Sequence, residues 1–297
     1  MATITTFFSY KGGAGRSTTC LNTIPFLAQI TEAYKNAPIL LLDMDSESAG
    51  MTYLLEKDRH FHDAGYDIKE FLKGEETWPI SGTGKLEDHP LYQKFVPVGN
   101  MFGLEDDYAV MFLGVNDKSD QYDKNNSGNV EEVMLQLSRF ADRNGIRAIV
   151  MDSAAGDQNS ARLSVNNSDK IVFCMKATRQ FRVGTFNYLQ KLAKRWDAGA
   201  DEREIILLPT VIPGDIEIGG ESQKDASIAD IRARLNGSGV NRLDIKTDFI
   251  SEDMFGINEI TRFKWKEEVL YKLGEELTVE EAEGRRRYEH LAELVAY

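Results

Sequence analysis

The sequence predicts an α/β fold, with a single doubly wound, mostly parallel sheet and helices on both faces. Three observations lead to this prediction. Short apolar runs alternate with longer segments of helical periodicity through most of the 297 residues. Several runs are apolar at consecutive positions, which is typical of strands that are buried on both faces of a parallel sheet. A glycine-rich turn joins the first run to the first helical segment, as in a βαβ unit.

The first elements form one such βαβ unit. Residues 4–9 are rich in β-branched and aromatic side chains and predict a buried strand. Residues 18–33 carry apolar side chains at helical spacing, and Pro25 near the start of that segment predicts a local distortion. The run 39–42 predicts a second strand, which ends at Asp43.

The alternation of strands and helices resumes in the second half of the chain. The predicted strands span 148–151, 171–175, 205–208 and 244–250, and the predicted helices span 130–142, 181–196, 228–235 and 279–295. No repeat or Pro-, Gly- or Ser-rich linker divides the sequence, so we expect one domain over residues 1–297. Residues 57–129 mix apolar runs with polar loop, and we interpret them as a variable insertion in that domain.

The composition excludes several classes of protein. Hydrophobic residues make up 42% and charged residues 28%, as in a folded soluble chain. Cys20 and Cys174 have apolar neighbours and form no CxxC pair, which predicts buried thiols rather than metal ligands. We find no signal peptide and no apolar stretch of membrane length, so a cytoplasmic protein without membrane attachment is expected. A net charge of −13 does not favour nucleic-acid binding, although a local basic patch remains open.

The glycine-rich turn predicts a phosphate-binding loop. It reads Lys11-Gly12-Gly13-Ala14-Gly15-Arg16-Ser17-Thr18. The glycines allow the backbone to curl so that its N–H groups point inward, and the following helix adds the positive end of its dipole. The hydroxyl of Ser17 stands where a phosphate-bound Mg²⁺ would sit. A standard P-loop would have glycine in place of Tyr10 and lysine in place of Arg16. The alternative is a turn that only joins a strand to a helix.

Two further segments place acidic residues after strands. The second strand ends in Asp43-Met44-Asp45, and the strand at 148–151 is followed by Asp152 and, a few residues later, Gly156. Taken by themselves, these aspartates are also explained as residues that only cap turns.

Together these segments resemble the ParA/MinD family of ATPases, whose deviant Walker A pattern is Lys-Gly-Gly-x-Gly-Lys-[Ser/Thr]-[Ser/Thr]. The chain matches that pattern from Lys11 to Thr18 except at Arg16. The segment 149–156 is similar to the Walker B and switch sequence of the MinD form. The resemblance extends over most of the chain and implies a P-loop NTPase fold that binds ATP and Mg²⁺. We find no guanine-recognition motif, which favours ATP over GTP.

The resemblance also implies individual roles. Lys11 would reach across a dimer interface to the partner's nucleotide, and Asp45 would orient the attacking water. Ser17, Asp43 and Asp152 would hold or support Mg²⁺. Of the remaining predicted contacts, the N–H of Gly156 would meet the γ-phosphate and the backbone at Pro209 would lie against the adenine.

The function implied by the resemblance is an ATP-dependent switch. ATP would close a homodimer, and the closed dimer would partition or position a plasmid, a chromosome region or a protein complex through a protein partner or cargo adaptor. Arg16 keeps a positive charge near the phosphates, but its planar, bidentate head group is not equivalent to a lysine. Nucleotide binding is therefore expected, whereas the rate of hydrolysis is left open. The alternatives are an ATP-binding regulatory sensor with little or no hydrolysis, and a metal- or cluster-delivery ATPase.

The final predicted helix contains three consecutive arginines, at positions 285–287. Five glutamates surround them in sequence, which predicts an exposed, salt-paired helix. The apolar face near the end of this helix is short and weak, so we do not expect it to act as a membrane anchor.

Overall fold

A computed structural model describes most of the chain. The described residues are 2–33, 37–45, 47–56, 68, 92–115, 130–196, 203–214, 217–218, 221–237, 239–264, 269–272 and 276–296. Much of the predicted insertion 57–129 lies outside the described residues, including the polar loop 116–129.

An eight-stranded sheet forms the centre of the fold. Its strands are β1 (Thr3–Phe8), β2 (Ile39–Asp43), β3 (Val96–Pro97), β4 (Val110–Leu113), β5 (Ala148–Asp152), β6 (Lys170–Lys176), β7 (Glu204–Thr210) and β10 (Asp244–Lys246). The spatial order is β10-β7-β6-β1-β5-β2-β4-β3, and every pairing is parallel except that of β3 with β4. A separate two-stranded sheet contains β8 (Glu217–Ile218) and β9 (Glu221–Ser222).

Seven described α-helices accompany the strands. They are α1 (Arg16–Ile30), α2 (Gly50–Glu56), α3 (Val130–Arg143), α4 (Asn159–Asn166), α5 (Arg179–Arg195), α6 (Gln223–Gly237) and α7 (Val279–Ala296). Among the described residues, no helix combines the length and apolarity needed to cross a bilayer.

The central strands are buried on both faces, as their unbroken apolar runs predicted. In β2, Ile39 and Leu41 belong to a cluster on one face of the sheet, whereas Leu40 and Leu42 belong to a cluster on the other. The first face is covered by apolar side chains of α1, α2 and α7, and the second by those of α3 to α6. The predicted doubly wound α/β fold is thereby confirmed.

Helix α7 packs directly on α1, although the two are far apart in sequence. Tyr288, Leu291 and Val295 of α7 are buried in the same cluster as the apolar side chains of α1. The ammonium of Lys170 donates to the carbonyl of Leu294 at 2.6 Å, which fixes the end of α7 to the sheet. The late helix is therefore part of the main core.

Several elements differ from the sequence prediction. Helix α1 begins at Arg16 rather than at 18, and it continues through Pro25 to Ile30. Helices α2 and α4, of seven and eight residues, were not predicted, because segments so short show no clear periodicity. Strand β10 ends at 246 rather than at 250.

Strands β3 and β4 come from the range that was interpreted as an insertion. Strand β4 pairs in parallel with β2, and β3 pairs antiparallel with β4 at the edge of the sheet. Part of the range 57–129 therefore belongs to the central sheet.

Candidate nucleotide-binding site

The glycine-rich loop lies between β1 and α1 and is open to solvent at its start. Lys11 and Gly12 are exposed, whereas Ala14 is buried. Gly13 and Gly15 have φ angles of 78° and 70°, in the left-handed region that glycine adopts without a steric penalty. This backbone course places the start of α1, whose first N–H groups have no partner within the helix itself, at the edge of the sheet.

A hydroxyl from the last residue of β7 holds the middle of the loop. The Oγ1 of Thr210 donates to the carbonyl of Ala14 at 2.6 Å, and both residues are buried. The next residue, Val211, has a φ of 52°, which is unusual for a β-branched side chain. A Cβ added at Gly15 would lie 3.2 Å from Cγ2 of Val211, so β7 and the loop are in close contact.

Ser17 and Asp152 meet below the loop. The Oγ of Ser17 donates a hydrogen bond to Oδ2 of Asp152 at the end of β5. The other oxygen, Oδ1, is buried without a hydrogen-bond partner within the described part of the chain. Burial raises the pKa of Asp152 to about 6, although the positive charge of Arg16 lowers it. Asp152 thus has one oxygen available for a cation or for water.

Asp43 ends β2 directly beside Asp152 in the sheet. Its Oδ2 accepts from the N–H and the Oγ1 of Thr52 at 2.9 and 2.8 Å, and its Oδ1 accepts from the N–H of Asp45 at 3.2 Å. Burial, followed by repulsion from Asp152, raises the pKa of Asp43 to about 7. Asp43 therefore orients the start of α2 and supports the loop between β2 and α2.

Arg16 forms a buried ion pair with Asp45. Its Nη2 donates to Oδ2 of Asp45 at 3.1 Å, and the two side chains are only 9% and 8% exposed. Its Nη1 donates to the carbonyl of Ser153. The second oxygen of Asp45 accepts from the N–H of Ser48 at 3.1 Å. The guanidinium therefore links the predicted phosphate loop to both acidic segments, and it occupies the carboxylate that was predicted to orient water.

The residues present fit a Mg²⁺ ion that also binds phosphate. The described residues contain no group of three or more His, Cys, Asp or Glu side chains that could hold a metal alone. Magnesium usually keeps several waters and takes only one or two carboxylates together with substrate phosphates. The unpartnered Oδ1 of Asp152 and the adjacent hydroxyl of Ser17 provide such a donor set.

Gly156 lies in the turn that follows β5, and its φ is 78°. Its N–H donates to the carbonyl of Ser9 at the end of β1, at 3.0 Å. The predicted bond from this N–H to a γ-phosphate would therefore require the bond to Ser9 to break.

A cavity of about 210 Å³ adjoins the loop on the side of β7. Its lining includes Gly15 and Thr18 of the loop, Lys176 at the end of β6, and residues 257–260. Pro209, which was predicted to face the adenine, does not line it. Its carbonyl instead accepts from the N–H of Ile257 at 2.8 Å.

The structure thus brings together Arg16, Ser17 and the three predicted aspartates at the ends of β1, β2 and β5. The sequence analysis did not predict the contacts through which Thr52, Ser153 and Thr210 orient these groups. Thr52 lies in α2, which was not predicted, and the contacts of Ser153 and Thr210 join residues 137 and 196 positions apart.

Comparison with known proteins shows the fold of the chain. No protein-family model and no curated protein sequence matches it. The ATP complex of a variant of McdA from Cyanothece is similar over 99% of this chain and 96% of that one, at 16% identity and a TM-score of 0.61. The Mg-ADP complex of the septum site-determining protein MinD from Pyrococcus horikoshii has the same coverage, 17% identity and a TM-score of 0.55.

The fold also occurs in an enzyme. The structure of cobyrinic acid a,c-diamide synthase from Mycobacterium smegmatis with bound ADP and magnesium is similar over 99% of this chain and 93% of that one, at 14% identity and a TM-score of 0.54. Likeness at such identities establishes architecture and not activity. The chain has the P-loop fold that McdA and MinD share, which is the fold implied by its resemblance to the ParA/MinD family.

Proposed function

We propose that the chain is an ATP-dependent switch that positions a cargo by closing and opening a homodimer. The main observation in support is that Arg16, Ser17 and three buried aspartates lie together beneath a glycine-rich loop. Buried charges of this kind are costly unless they serve a ligand or one another. The MinD structure with the same fold is that of a septum site-determining protein, which supports a role in positioning.

Each group has a distinct task in the proposed switch. The loop N–H groups and the end of α1 would bind the phosphates. Magnesium, when bound, would neutralise phosphate charge, and Ser17 and Asp152 are the residues that would hold it. Lys11 is exposed at the start of the loop, so its ammonium can extend away from its own subunit towards the nucleotide of a partner.

The Arg16–Asp45 pair suggests how hydrolysis is restrained. Both oxygens of Asp45 already accept a hydrogen bond, and the guanidinium of Arg16 neutralises its charge, which makes this carboxylate a weaker acceptor for an attacking water. An incoming triphosphate would compete for the guanidinium of Arg16, because Arg binds phosphate oxygens as readily as carboxylates. Release of Asp45 would then follow nucleotide binding, which makes binding the fast step and hydrolysis the slow one.

The same pair favours the second candidate, a sensor that binds ATP with little or no hydrolysis. If phosphate binding does not free Asp45, the protein would remain in its nucleotide-bound form. Measuring turnover together with affinity distinguishes the two. The metal-delivery alternative receives no support from the described residues, since both cysteines are buried and no cluster of three or more His, Cys, Asp or Glu side chains is present among them to carry a metal or cluster.

The test measures the mass of the protein by light scattering, with and without ATP and Mg²⁺. We expect a dimer only with both, and a longer-lived dimer in Asp45→Ala, which cannot orient water. Lys11→Ala should remain monomeric, whereas Lys246→Ala, on the edge strand β10, should behave as the wild type. If neither the wild type nor Asp45→Ala dimerises with nucleotide, the switch proposal is wrong.

A fluorescent ATP analogue tests the phosphate contact separately. Arg16→Ala should weaken its binding about tenfold or more, because a charge-assisted bond to phosphate is lost. Unchanged affinity in this variant would show that Arg16 does not contact the phosphates.

A further inference from the structure

Helix α5 differs in charge from the rest of this acidic chain. It carries five cationic side chains and no acidic one, against a net charge of −13 for the whole protein. One of the five, Arg182, is engaged with Asp230 of α6 at 2.6 Å. The remaining cations near its C-terminal end lie at the surface.

Three cations surround a single carboxylate at this end of α5. Asp157 accepts from Arg162 of α4 at 2.8 Å and lies 3.9 and 4.0 Å from Arg195 and Lys191 of α5. The three cationic side chains are 45–56% exposed. The hydrogen bond from Arg162 is the largest cause of a lowered pKa at Asp157. One negative charge cannot neutralise three positive ones, so this group, which we call the α5 cationic cluster, keeps a local positive charge.

The positive surface extends along α5 beyond the cluster. A groove of about 550 Å³ follows on the same helix and is lined by Gln190, Ala193, Lys194, Gly239, Asn241 and Arg242. Within the described part of the chain, this lining includes two cations and no carboxylate. Lys194 of the groove lies three positions after Lys191 of the cluster on α5, so the two features adjoin, and we call them together the cationic strip.

The position of Asp157 connects this strip to the nucleotide site. Asp157 immediately follows Gly156, whose N–H donates to Ser9 in the present structure. The preceding carbonyl of Ser153 accepts from Arg16. Asp157 continues the backbone of this segment, so a rearrangement of residues 153–156 towards a bound phosphate would change the position from which its carboxylate reaches the three cations.

We propose that the α5 cationic cluster is a docking site for an acidic peptide segment of a partner protein, and that Asp157 covers it until nucleotide binds. The resident ligand of the cluster is already a carboxylate, and two of its three cations are arginines, whose planar head groups match carboxylates in pairs. A partner's glutamates or aspartates would replace Asp157. The control by nucleotide rests on the switch proposed above, whereas the docking site itself does not.

An acidic peptide fits this surface better than nucleic acid. Stable duplex binding uses many phosphate contacts along an extended cationic face, whereas this surface offers only the three cations of the cluster and the two of the groove. A peptide of a few residues needs only the length of the strip.

The test uses a fluorescein-labelled decamer of glutamate and measures its anisotropy at about 50 mM salt, where surface electrostatics are weakly screened. Without nucleotide, Asp157→Asn should bind it several-fold more tightly than the wild type. The double variant Lys191→Glu/Arg195→Glu should bind about tenfold more weakly than the wild type. The peptide affinity of Lys191→Gln/Arg195→Gln should lie between that of the wild type and that of the double glutamate variant. Arg139→Glu, an exposed charge reversal on α3, serves as the matched control and should have little effect.

Two results would overturn the docking site. One is equal peptide affinity in Asp157→Asn and the wild type. The other is that a 20-base-pair DNA duplex or phosphatidylserine vesicles bind the wild type more tightly than the peptide does, and lose affinity in the Lys191 and Arg195 variants to the same extent. A non-hydrolysable ATP analogue with Mg²⁺ should raise the affinity of the wild type and leave that of Asp157→Asn unchanged. If the ATP analogue leaves the affinity of the wild type unchanged while the variants behave as expected, the docking site stands and only its regulation by nucleotide is overturned.

Discussion

The buried ion pair between Arg16 and Asp45 gives a quantitative prediction about stability. The two side chains are 9% and 8% exposed, and their closest atoms are 3.1 Å apart. Removing one partner of such a pair leaves an uncompensated charge in the interior, which costs about 3–5 kcal/mol. Arg16→Ala and Asp45→Ala should each lower the free energy of unfolding by about that amount.

The double variant isolates the pair itself. Arg16→Ala/Asp45→Ala removes both charges, so its cost should fall short of the sum of the single costs by about 2 kcal/mol or more. Urea unfolding without nucleotide, with m-values compared between variants, measures each term. The pair Arg285–Glu289 on α7 is the control, because its atoms are 2.7 Å apart but its side chains are 38% and 42% exposed.

The control should show a coupling of about 0.3–0.5 kcal/mol, as is usual for exposed helical pairs. An equally small coupling between Arg16 and Asp45 would refute the claim that this pair is a buried, formed interaction. The restraint on hydrolysis that we derived from it would then lose its basis.

Three further predictions concern the same region. Mg²⁺ should increase the nucleotide affinity of Asp152→Asn less than that of the wild type, by a factor of about ten or more, in titrations with and without Mg²⁺. An equal increase in both proteins would show that Asp152 does not bind the ion. Because its folded pKa of about 7 exceeds its unfolded value near 3.8, Asp43 favours the folded state at low pH, and this contribution is lost as the pH rises from about 4 to about 7. Asp43 should therefore lower the free energy of unfolding by about 2 kcal/mol between pH 5 and pH 7.5, and Asp43→Asn should reduce this pH dependence without abolishing it, because Asp152, with a pKa raised to about 6, titrates in the same range. Gly256→Ala should lower the free energy of unfolding by about 2–4 kcal/mol, since the added Cβ would clash with the carbonyl of Pro209 and the residue has a φ of 57°. Gly12→Ala is the control: no atom lies within 4 Å of its added Cβ, so thermal unfolding should show a change of no more than about 0.5 kcal/mol.

The sequence was sufficient for the parts of the fold that carry a strong local pattern. Strands β2, β5, β6 and β7 were predicted within about two residues, because a strand buried on both faces must be apolar at nearly every position. Helix α2 was not predicted because its seven residues contain no repeat of the helical period. Strand β10 stops early, since its later residues leave the register that pairs Asp244 to Lys246 with β7.

The candidate site was predictable in composition but not in its connections. The resemblance to the ParA/MinD motifs singled out Ser17, Asp43 and Asp152, and the structure places them together at one edge of the sheet. The partner of Arg16 could not be read from the chain, because Asp45 lies 29 positions away and approaches only when β1 and β2 lie on either side of β5. The three arginines of α7 were expected to be salt-paired, and the contacts of Arg285 with Glu289 and of Arg287 with Glu283 confirm this for two of them.

The packing of α7 on α1 has a consequence for synthesis on the ribosome. Helix α1 is translated well before the side chains that cover its outer face, at Tyr288 and Leu291, which lie more than 250 positions later in the chain. Until α7 has been made, that apolar face is exposed, and contacts between segments so distant in sequence form slowly. A nascent chain that stalls before α7 emerges should be a substrate for chaperones, even when its parallel strands are already complete.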